Sequence, residues 1–328
     1  TDTQQRYIYS TCTASTAMAG AAMAMAGRIY SDYDKDFADD CLKRAKAVWK
    51  YLSKEKESIY RVDEGQESGS GPYNDTDDAT ERCWLAAELF RTTGDKKYEN
   101  YLMKQQKNTI LQKPSFFTWD NTLALAQFSY GMAANANHDF QLQVRQKLVD
   151  YANDIANTIK NDGYGCSLKA HEYTWASTKN AVTKGDILLM AYQFEAKPEY
   201  IDGALDQIHY MFGRNALNKS FMTGMGENPP EHPHNRIHES TGAYVPGLVV
   251  GGPNAVSGGD PDQTKYIEEC KPAPAKCYLD VLMSWSTNEY AIDYNGAGIY
   301  ALSYFMQPDK SITAKDLKLN RSFPKWSF

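Results

Sequence analysis

The sequence lacks several features that mark large classes of protein. Its six cysteines include no Cys-x-x-Cys pair, which argues against a structural zinc site. No apolar run approaches the roughly 18 to 20 residues of a membrane span. The net charge of −6 is spread along the chain, with no run of five or six like charges. We therefore expect neither a membrane span nor a nucleic-acid partner.

Strand signals and a leader sequence are also missing. No alternation of apolar and polar residues is sustained, and no Pro/Ser-rich linker divides the chain. The opening TDTQQRYIYS has neither the charged nor the apolar part of a secretory signal, so we expect a mature protein or a piece of one.

Cys270 and Cys277 bracket the stretch KPAPAK, and their spacing is compatible with either a disulfide or two free thiols.

Helical periodicity dominates the sequence that remains. The 328 residues are 42% hydrophobic, which is enough for a large core. In the long amphipathic stretch 140–160, the pattern places Leu142, Val144 and Leu148 on one face. The pattern predicts nine helices, at residues 13–30, 35–52, 77–92, 95–108, 121–136, 140–160, 177–194, 198–212 and 296–305.

The connections between these helices alternate between short turns and long loops that carry Gly, Trp and Tyr. Helical hairpins with all their long loops at one end predict an all-α toroid of paired helices with a ligand groove at one face. A solenoid of helical repeats is the structural alternative, but it normally shows a fixed period of about 34 to 47 residues.

Two loops carry the strongest chemical signals. Residues 215–236 are rich in Pro, Gly and Asn, and they present His234 and Arg236, which can donate hydrogen bonds to sugar hydroxyls or belong to a solvated loop. In residues 284–295, Glu289 stands at the edge of an apolar stretch. A carboxyl partly removed from water has a raised pKa and can act as a general acid. Ser/Thr followed by Glu before an apolar run is equally a helix-capping pattern.

Aromatic residues are unusually common, with 23 Tyr and 6 Trp. Trp119, Trp175 and Trp285 stand beside Ser, Thr, Asp or Asn in long loops. An aromatic ring next to hydroxyl and amide groups suits a sugar, which has an apolar face and a polar rim. The alternative is that each Trp anchors its own loop in the core.

Acidic residues in the same loops suggest a cation site. Glu81, Asp120 and the group Asp75, Asp77 and Asp78 offer the oxygen ligands that calcium prefers. Acidic residues at helix starts also interact favourably with the helix dipole, so these positions do not by themselves require a metal.

Three stretches, GRNALNKSFMTGMGENPPEHPHNR, VPGLVVGGPN and STNEYAIDYNGAG, resemble the C-terminal signature blocks of glycoside hydrolase family 9, the inverting β-1,4-glucanases. Upstream, DFADDCLKRAKAVWKYL, YNDTDDATERCWLAAELFRTTGD, FTWDN and YTWASTKNAV follow in the order of that family. The resemblance covers most of residues 11–305. It implies an (α/α)6 toroid, a secreted or cell-surface enzyme acting on β-glucan, and no organic cofactor. Residues 1–306 would be the catalytic domain, with residues 307–328 as a tail packed on it.

The resemblance also implies roles for individual residues. Glu289 falls on the general acid, and Tyr294 falls on the tyrosine that lines the cleavage subsite. His234 and Arg236 fall on the His-x-Arg pair that binds the sugar there. Trp175 falls on a groove tryptophan.

The resemblance extends to calcium, with two departures from the family pattern. Glu81 and Asp120 match calcium ligands of some members, but Thr80 stands where a ligand Asp would precede Glu81. Asn235 replaces the middle residue of the usual His-His-Arg, so any role of that histidine is lost.

The catalytic base of the family lies in an Asp-x-Gly-Asp block that this sequence does not contain. Inversion requires two carboxyls roughly 6.5 to 9.5 Å apart. We therefore expect the chain to be about the C-terminal two-thirds of a catalytic domain, with the base on an N-terminal segment. Two alternatives stay open: an exo-β-glucosaminidase or a xyloglucan or mixed-linkage glucanase of the same fold, and a non-catalytic glycan-binding remnant.

Overall fold

The computed structural model describes residues 11–59, 75–105 and 109–306, and every regular element within them is helical. The α-helices are α1 (Thr13–Ile29), α2 (Lys35–Leu52), α3 (Ala79–Thr93), α4 (Lys96–Lys104), α5 (Leu123–Gly131), α6 (His138–Lys160), α7 (Ser177–Tyr192), α8 (Pro198–Met211), α9 (Arg236–Thr241), α10 (Pro261–Cys270), α11 (Trp285–Asn288) and α12 (Ile292–Phe305). The predicted tail, residues 307–328, lies outside the described residues.

All nine predicted helices are present, although residues 106–108 of the helix predicted at 95–108 lie outside the described residues. Local sequence signals explain several of the helix ends. Asp34 caps α2 by accepting a hydrogen bond from the backbone N–H of Phe37 at 3.1 Å. Asn137 caps α6 through the N–H of Phe140 at 3.0 Å. Gly94, with φ of 70°, ends α3 in the left-handed conformation that glycine adopts without strain.

The helices pair into hairpins, α1 with α2, α3 with α4, α5 with α6 and α7 with α8. The first helices of the hairpins also pack on one another, α1 on α3 and α3 on α5, and α12 packs on α7. The first helices of the hairpins therefore form the inner layer of the fold. In α7, every residue from 177 to 191 is buried. In α1, a Cβ at Gly20 would lie 2.7 Å from Val48, so small residues permit the close approach of α2.

The structure corrects three sequence expectations. Two helix boundaries differ from the prediction: α12 begins at Ile292, four residues before the predicted start, and α5 ends at Gly131, five residues before the predicted end. Leu142 is 48% exposed, whereas Val144 is buried, because residues two apart lie on nearly opposite sides of a helix. The three short helices α9, α10 and α11 lie where long loops were predicted. The number of helices in the chain therefore does not indicate what fraction of a complete toroid the chain contains.

Cys270 and Cys277 are both free, as are the other four cysteines, so the thiol alternative holds in this structure. In the part of the chain that the structure describes, no helix has the length and apolar character that crossing a membrane requires.

Candidate active site

A cavity of about 360 Å³ lies between the start of α9 and the extended segment before α12. It brings together three of the predicted site residues, Glu289, His234 and Arg236. The complete lining is His234, Asn235, Arg236, Ile237, Glu289, Tyr290, Ala291 and Ile292. The two chemically rich loops of the sequence therefore meet, although 47 residues, 237–283, lie between them.

Backbone hydrogen bonds hold the two loops together at the cavity. The N–H of His234 donates to the carbonyl oxygen of Asn288 at 2.9 Å, which pairs His234 with Glu289 in a parallel bridge. On the other side, the N–H of Gly251 donates to the carbonyl oxygen of Glu289 at 2.9 Å. A Cβ at Gly251 would lie 3.0 Å from the carbonyl oxygen of Ser286, so this approach requires glycine. The backbone of Glu289 is thus fixed on both sides.

The side chain of Glu289 is half-buried and lines the cavity. Burial raises the pKa of its carboxyl above the usual value, and the charge of His234 lowers it to a smaller extent. The capping alternative is not supported, because Ala291 is the N-cap of α12 and no side chain caps that helix. A raised pKa keeps the carboxyl protonated to a higher pH, which a general acid requires.

His234 and Arg236 also present hydrogen-bonding side chains to the cavity. Nδ1 of His234 lies 2.7 Å from the carbonyl oxygen of Leu282, and a carbonyl oxygen only accepts, so Nδ1 carries hydrogen and Nε2 remains for a ligand. The imidazole also packs edge-on against Trp285, with 6.2 Å between ring centroids. Arg236 is exposed, and its guanidinium forms no ion pair within the described residues.

Asn235, which stands where the family usually has a histidine, caps a helix. Its Oδ1 accepts hydrogen bonds from the N–H groups of Ile237 at 2.8 Å and His238 at 3.2 Å. Asn235 is therefore the N-cap of α9, and it is 4% exposed. Because Arg236 is the first residue of that helix, the cap fixes the backbone from which the guanidinium extends.

Asp280 is a positioning residue that the sequence reasoning missed. Its carboxylate accepts hydrogen bonds from the N–H groups of Glu231 at 2.8 Å and His232 at 2.9 Å. It also accepts from Nδ2 of Asn288 at 3.0 Å and pairs with Nζ of Lys219 at 2.9 Å. Burial acts to raise the pKa of Asp280, but these hydrogen bonds outweigh it and hold the pKa below the usual value. One carboxylate thus ties the loop of His234 to the turn before Glu289.

No local pattern identifies Asp280, because its four partners come from three separate parts of the chain. The sequence signal was only a single acid in YLD, a few residues before the recognised STNE stretch. Asn288 is similarly central, since its Nδ2 also donates to the carbonyl oxygen of His232 at 2.6 Å. The hydroxyl of Tyr278 donates to its Oδ1 at 2.6 Å, so both ends of the amide are satisfied.

Tyr294 lies behind the cavity and is not among the residues that line it. It is 7% exposed and belongs to an apolar cluster with Val182, Met211 and Val249. Its predicted place on the surface of the cleavage subsite therefore stays a prediction.

Trp175 lies outside the lining but is connected to it through the backbone. The side chain is 39% exposed, and the following residue, Ala176, adopts the left-handed conformation with φ of 65°. Two residues later, the N–H of Thr178 donates to the carbonyl oxygen of Gly251 at 3.0 Å. Because Gly251 also bonds to Glu289, the start of α7 has a fixed position relative to the catalytic candidate.

The predicted calcium residues do not by themselves complete a metal site. Glu81 is 1% exposed and accepts hydrogen bonds from the hydroxyls of Thr80 at 2.6 Å and Thr122 at 3.2 Å. Burial raises its pKa to about 7. Asp120 accepts from the hydroxyl of Thr118. Within residues 11–59, 75–105 and 109–306, no group of three or more His, Cys, Asp or Glu is arranged to hold a metal, so calcium at Glu81 and Asp120 stays a prediction.

The fold and the cavity together suggest a helical-toroid glycosidase, and comparison with known proteins shows the family. The family model described as glycosyl hydrolase family 9 matches residues 1–302. The chain belongs to glycosyl hydrolase family 9. The resemblance found in the sequence is therefore confirmed.

Individual relatives agree with this assignment. A cellulose 1,4-beta-cellobiosidase of Acetivibrio thermocellus is 32% identical over 337 residues, which cover 94% of this chain and 37% of the relative. Endoglucanase D of the same organism is 32% identical over 306 residues, covering 92% and 46%. The solved structure of the family 9 endoglucanase J30 matches with a TM-score of 0.86 at 39% identity, covering 90% of this chain and 55% of that one.

Two conclusions follow from these comparisons. The predicted (α/α)6 toroid is confirmed, and the described helices form part of that fold. The chain spans less than half the length of these two curated relatives and about half of the solved structure.

Proposed function

We propose that this protein hydrolyses β-1,4-glucosidic bonds of cellulose or a related β-glucan with inversion, and that Glu289 is the general acid. The observation that carries the proposal is the cavity that the half-buried Glu289 lines together with His234 and Arg236. The activities named for its cellulase relatives agree with this chemistry.

In the proposed reaction, Glu289 supplies the one proton that comes from this cavity. Glu289 donates its proton to the glycosidic oxygen as the bond from that oxygen to C1 breaks. A water molecule forms the new bond to C1 from the opposite face of the sugar, and its proton passes to a carboxylate base. Nε2 of His234 and the guanidinium of Arg236 bind sugar hydroxyls, which fixes the ring while it distorts. Trp175 provides an aromatic surface farther along the groove, and Tyr294 supports the subsite from behind.

The base of the reaction does not lie among the described residues that line the cavity. Glu289 is the one carboxyl among the residues that line the cavity. We place the base on an N-terminal segment carrying Asp-x-Gly-Asp, a proposal supported by the greater length of the matched relatives. We also propose that the protein is secreted or held at the cell surface, since β-glucan polymers are too large to enter a cell.

The central test is Glu289→Gln, measured together with the N-terminal segment if intact-mass analysis shows one. Because general acid catalysis contributes about 10²- to 10⁴-fold, we expect a loss of that size on cello-oligosaccharides, with binding retained. Glu239→Gln, an exposed substitution on α9, is the matched control. Hydrolysis at the normal rate by the Glu289 variant would show that another group is the acid.

The products separate the remaining alternatives. Proton NMR of the first product gives the α-anomer if the enzyme inverts a β-linkage. Release of sugar from cellulose, xyloglucan or chitosan oligosaccharides distinguishes a cellulase from a xyloglucanase and a glucosaminidase. Binding without turnover in the presence of the base-bearing segment would identify a glycan-binding remnant.

A further inference from the structure

A second cavity, of about 290 Å³, lies on a different part of the toroid. The last turn of α2, the following turn, α3 and α4 surround it, and it shares no lining residue with the cavity at Glu289. Its lining is Trp49, Leu52, Ser53, Glu55, Arg82, Leu85 and Tyr101. The volume is close to the lower end of small-molecule sites, roughly 300 Å³, and therefore suits a single ring.

Two aromatic rings form preorganised walls of this cavity. Trp49 packs perpendicular to Tyr101, with 5.1 Å between ring centroids and 90° between their planes. It makes a second edge contact with Tyr98, at 5.1 Å and 82°, which fixes the indole from another side. The buried side chains of Leu52 and Leu85 complete an apolar base. The rings hence present apolar surface without needing to rearrange.

The charged groups of the cavity are largely neutralised within the protein. Nε of Arg82 pairs with Asp78 at 2.8 Å, and its Nη1 donates to the carbonyl oxygen of Leu52 at 2.6 Å. Its Nη2 donates to the carbonyl oxygen of Glu55 at 3.3 Å. The exposed side chains of Glu55 and Ser53 also line the cavity, and Glu55 forms no ion pair within the described residues. The hydroxyl of Ser53 donates to the carbonyl oxygen of Lys50 at 3.0 Å, so it can still accept a hydrogen bond from a ligand.

This arrangement disfavours an anionic ligand. Arg82 is paired with Asp78, so its charge is already compensated, and the carboxylate of Glu55 in the lining repels an anion. A pyranose ring has an apolar face for the indole and hydroxyls for the Glu55 carboxylate and the Ser53 hydroxyl. We propose that this cavity, here named the Trp49 pocket, binds one glucosyl unit of a β-glucan chain away from the active site.

The proposal rests on the proposed function, because the polymer that Glu289 cleaves is the same polymer that the Trp49 pocket holds. A second contact on one polymer makes the next binding event intramolecular and raises the effective concentration of substrate. The pocket therefore increases retention on long chains and leaves the turnover of short oligosaccharides unchanged.

Native gel electrophoresis through soluble β-1,4-glucan tests the pocket with the full chain. We expect Trp49→Ala to weaken retardation by about tenfold, the typical effect of truncating a central aromatic contact. Ser53→Tyr fills the opening from an exposed position, so it should weaken retardation similarly without removing core contacts. Tyr51→Ala, an exposed aromatic on the same helix outside the pocket lining, is the matched control and should have no effect. Thermal unfolding verifies that each variant is folded.

Arg236→Ala in the same gels separates this inference from the proposed function. One outcome is that Arg236→Ala is retarded less, while folded Ser53→Tyr and Trp49→Ala are retarded normally. That outcome would overturn the proposal for the Trp49 pocket and would remain consistent with the proposed active site. The opposite outcome is that the pocket variants are retarded less, Arg236→Ala is retarded normally, and the wild-type protein hydrolyses no glucan. That outcome would support the pocket and contradict the proposed catalytic site. A wild-type protein that is not retarded at all would contradict both.

Discussion

The hairpins α1 to α8 and the loop-rich region from residue 213 to residue 291 are stabilised in different ways. The hairpins are held mainly by apolar packing, with small residues such as Ala17, Ala21 and Ala24 where α1 packs on its neighbours, although α7 also buries Lys184 and Asp186. In the loop region, the side chains of Ser284, Ser286, Thr287 and Asn288 are fully buried although they are polar. The catalytic candidate Glu289 directly follows these four residues.

The difference shows how each region obtains a unique structure. Apolar packing tolerates many side chains of suitable size, so it fixes the helices but not individual atoms. Each buried polar group in the loop region instead needs its own partner. For example, the hydroxyl of Ser286 donates to the carboxylate of Asp260 at 2.8 Å, and that of Thr287 donates to the carbonyl oxygen of Leu279 at 3.1 Å. Such bonds hold the site with the precision that catalysis requires.

The sharpest test of this comparison is Asp280→Ala. Its removal leaves buried donors without an acceptor, and we expect the free energy of unfolding to fall by about 3 to 5 kcal/mol in chemical denaturation. Asp39→Ala removes an exposed ion pair with Lys35 on α2 and should cost under about 1 kcal/mol. Equal losses in the two variants would show that the polar network has no special importance.

Glu81 is one of several carboxyls that are buried within the hairpins, as Glu88 and Asp186 also are, and its titration tests how such a group affects stability. Burial raises the pKa of Glu81 from its ordinary value of 4.5 to about 7, so the folded state binds more protons than the unfolded state between these pH values. Stability should therefore decrease as pH rises from about 4.5 to 7, by up to roughly 3 kcal/mol.

Thermal unfolding across this pH range measures the effect, and Glu81→Gln should flatten the profile. Added calcium at pH 8 should restore stability to the wild-type protein and not to the variant if Glu81 binds the ion. A wild-type profile that rises with pH would contradict the raised pKa.

Asn235 tests whether a helix cap positions a sugar-binding residue. Asn235→Ala should lower the free energy of unfolding by about 1 kcal/mol and raise KM more than it lowers kcat, because Arg236 loses its fixed backbone. Asn235→Asp retains the capping oxygen and should restore both values. Failure of this conservative variant to rescue KM would argue against positioning through the cap.

The smallest expected effect concerns the interaction between His234 and Glu289. Because the charge of His234 lowers the pKa of Glu289, its removal in His234→Gln should raise that pKa. The acid then stays protonated to a higher pH, so the alkaline limb of the kcat/KM profile should move upward, along with an overall loss of activity from the lost sugar contact. An alkaline limb that moved downward would contradict the assignment of Glu289 as the acid.

Some residues of the site could be predicted from the sequence, and others could not. Glu289, His234 and Arg236 were recognised because they lie in long, distinctive stretches, and the structure brings them together in one cavity. Asp280 was missed because its partners are distant in sequence. The Trp49 pocket was missed because Trp49 and Leu85 contribute to ordinary helical patterns.

The sequence by itself determined the helices, because periodicity of apolar residues and capping signals act within a few residues of one another. It also determined the family, through several long motifs in a fixed order. Only the tertiary structure decided which polar groups meet. Hydrogen bonds join His234 to Asn288 and His232 to Asp280 across some 50 residues, and each bond depends on the folded backbone around it. Burial is equally a tertiary property, and it is burial that raises the pKa of Glu289.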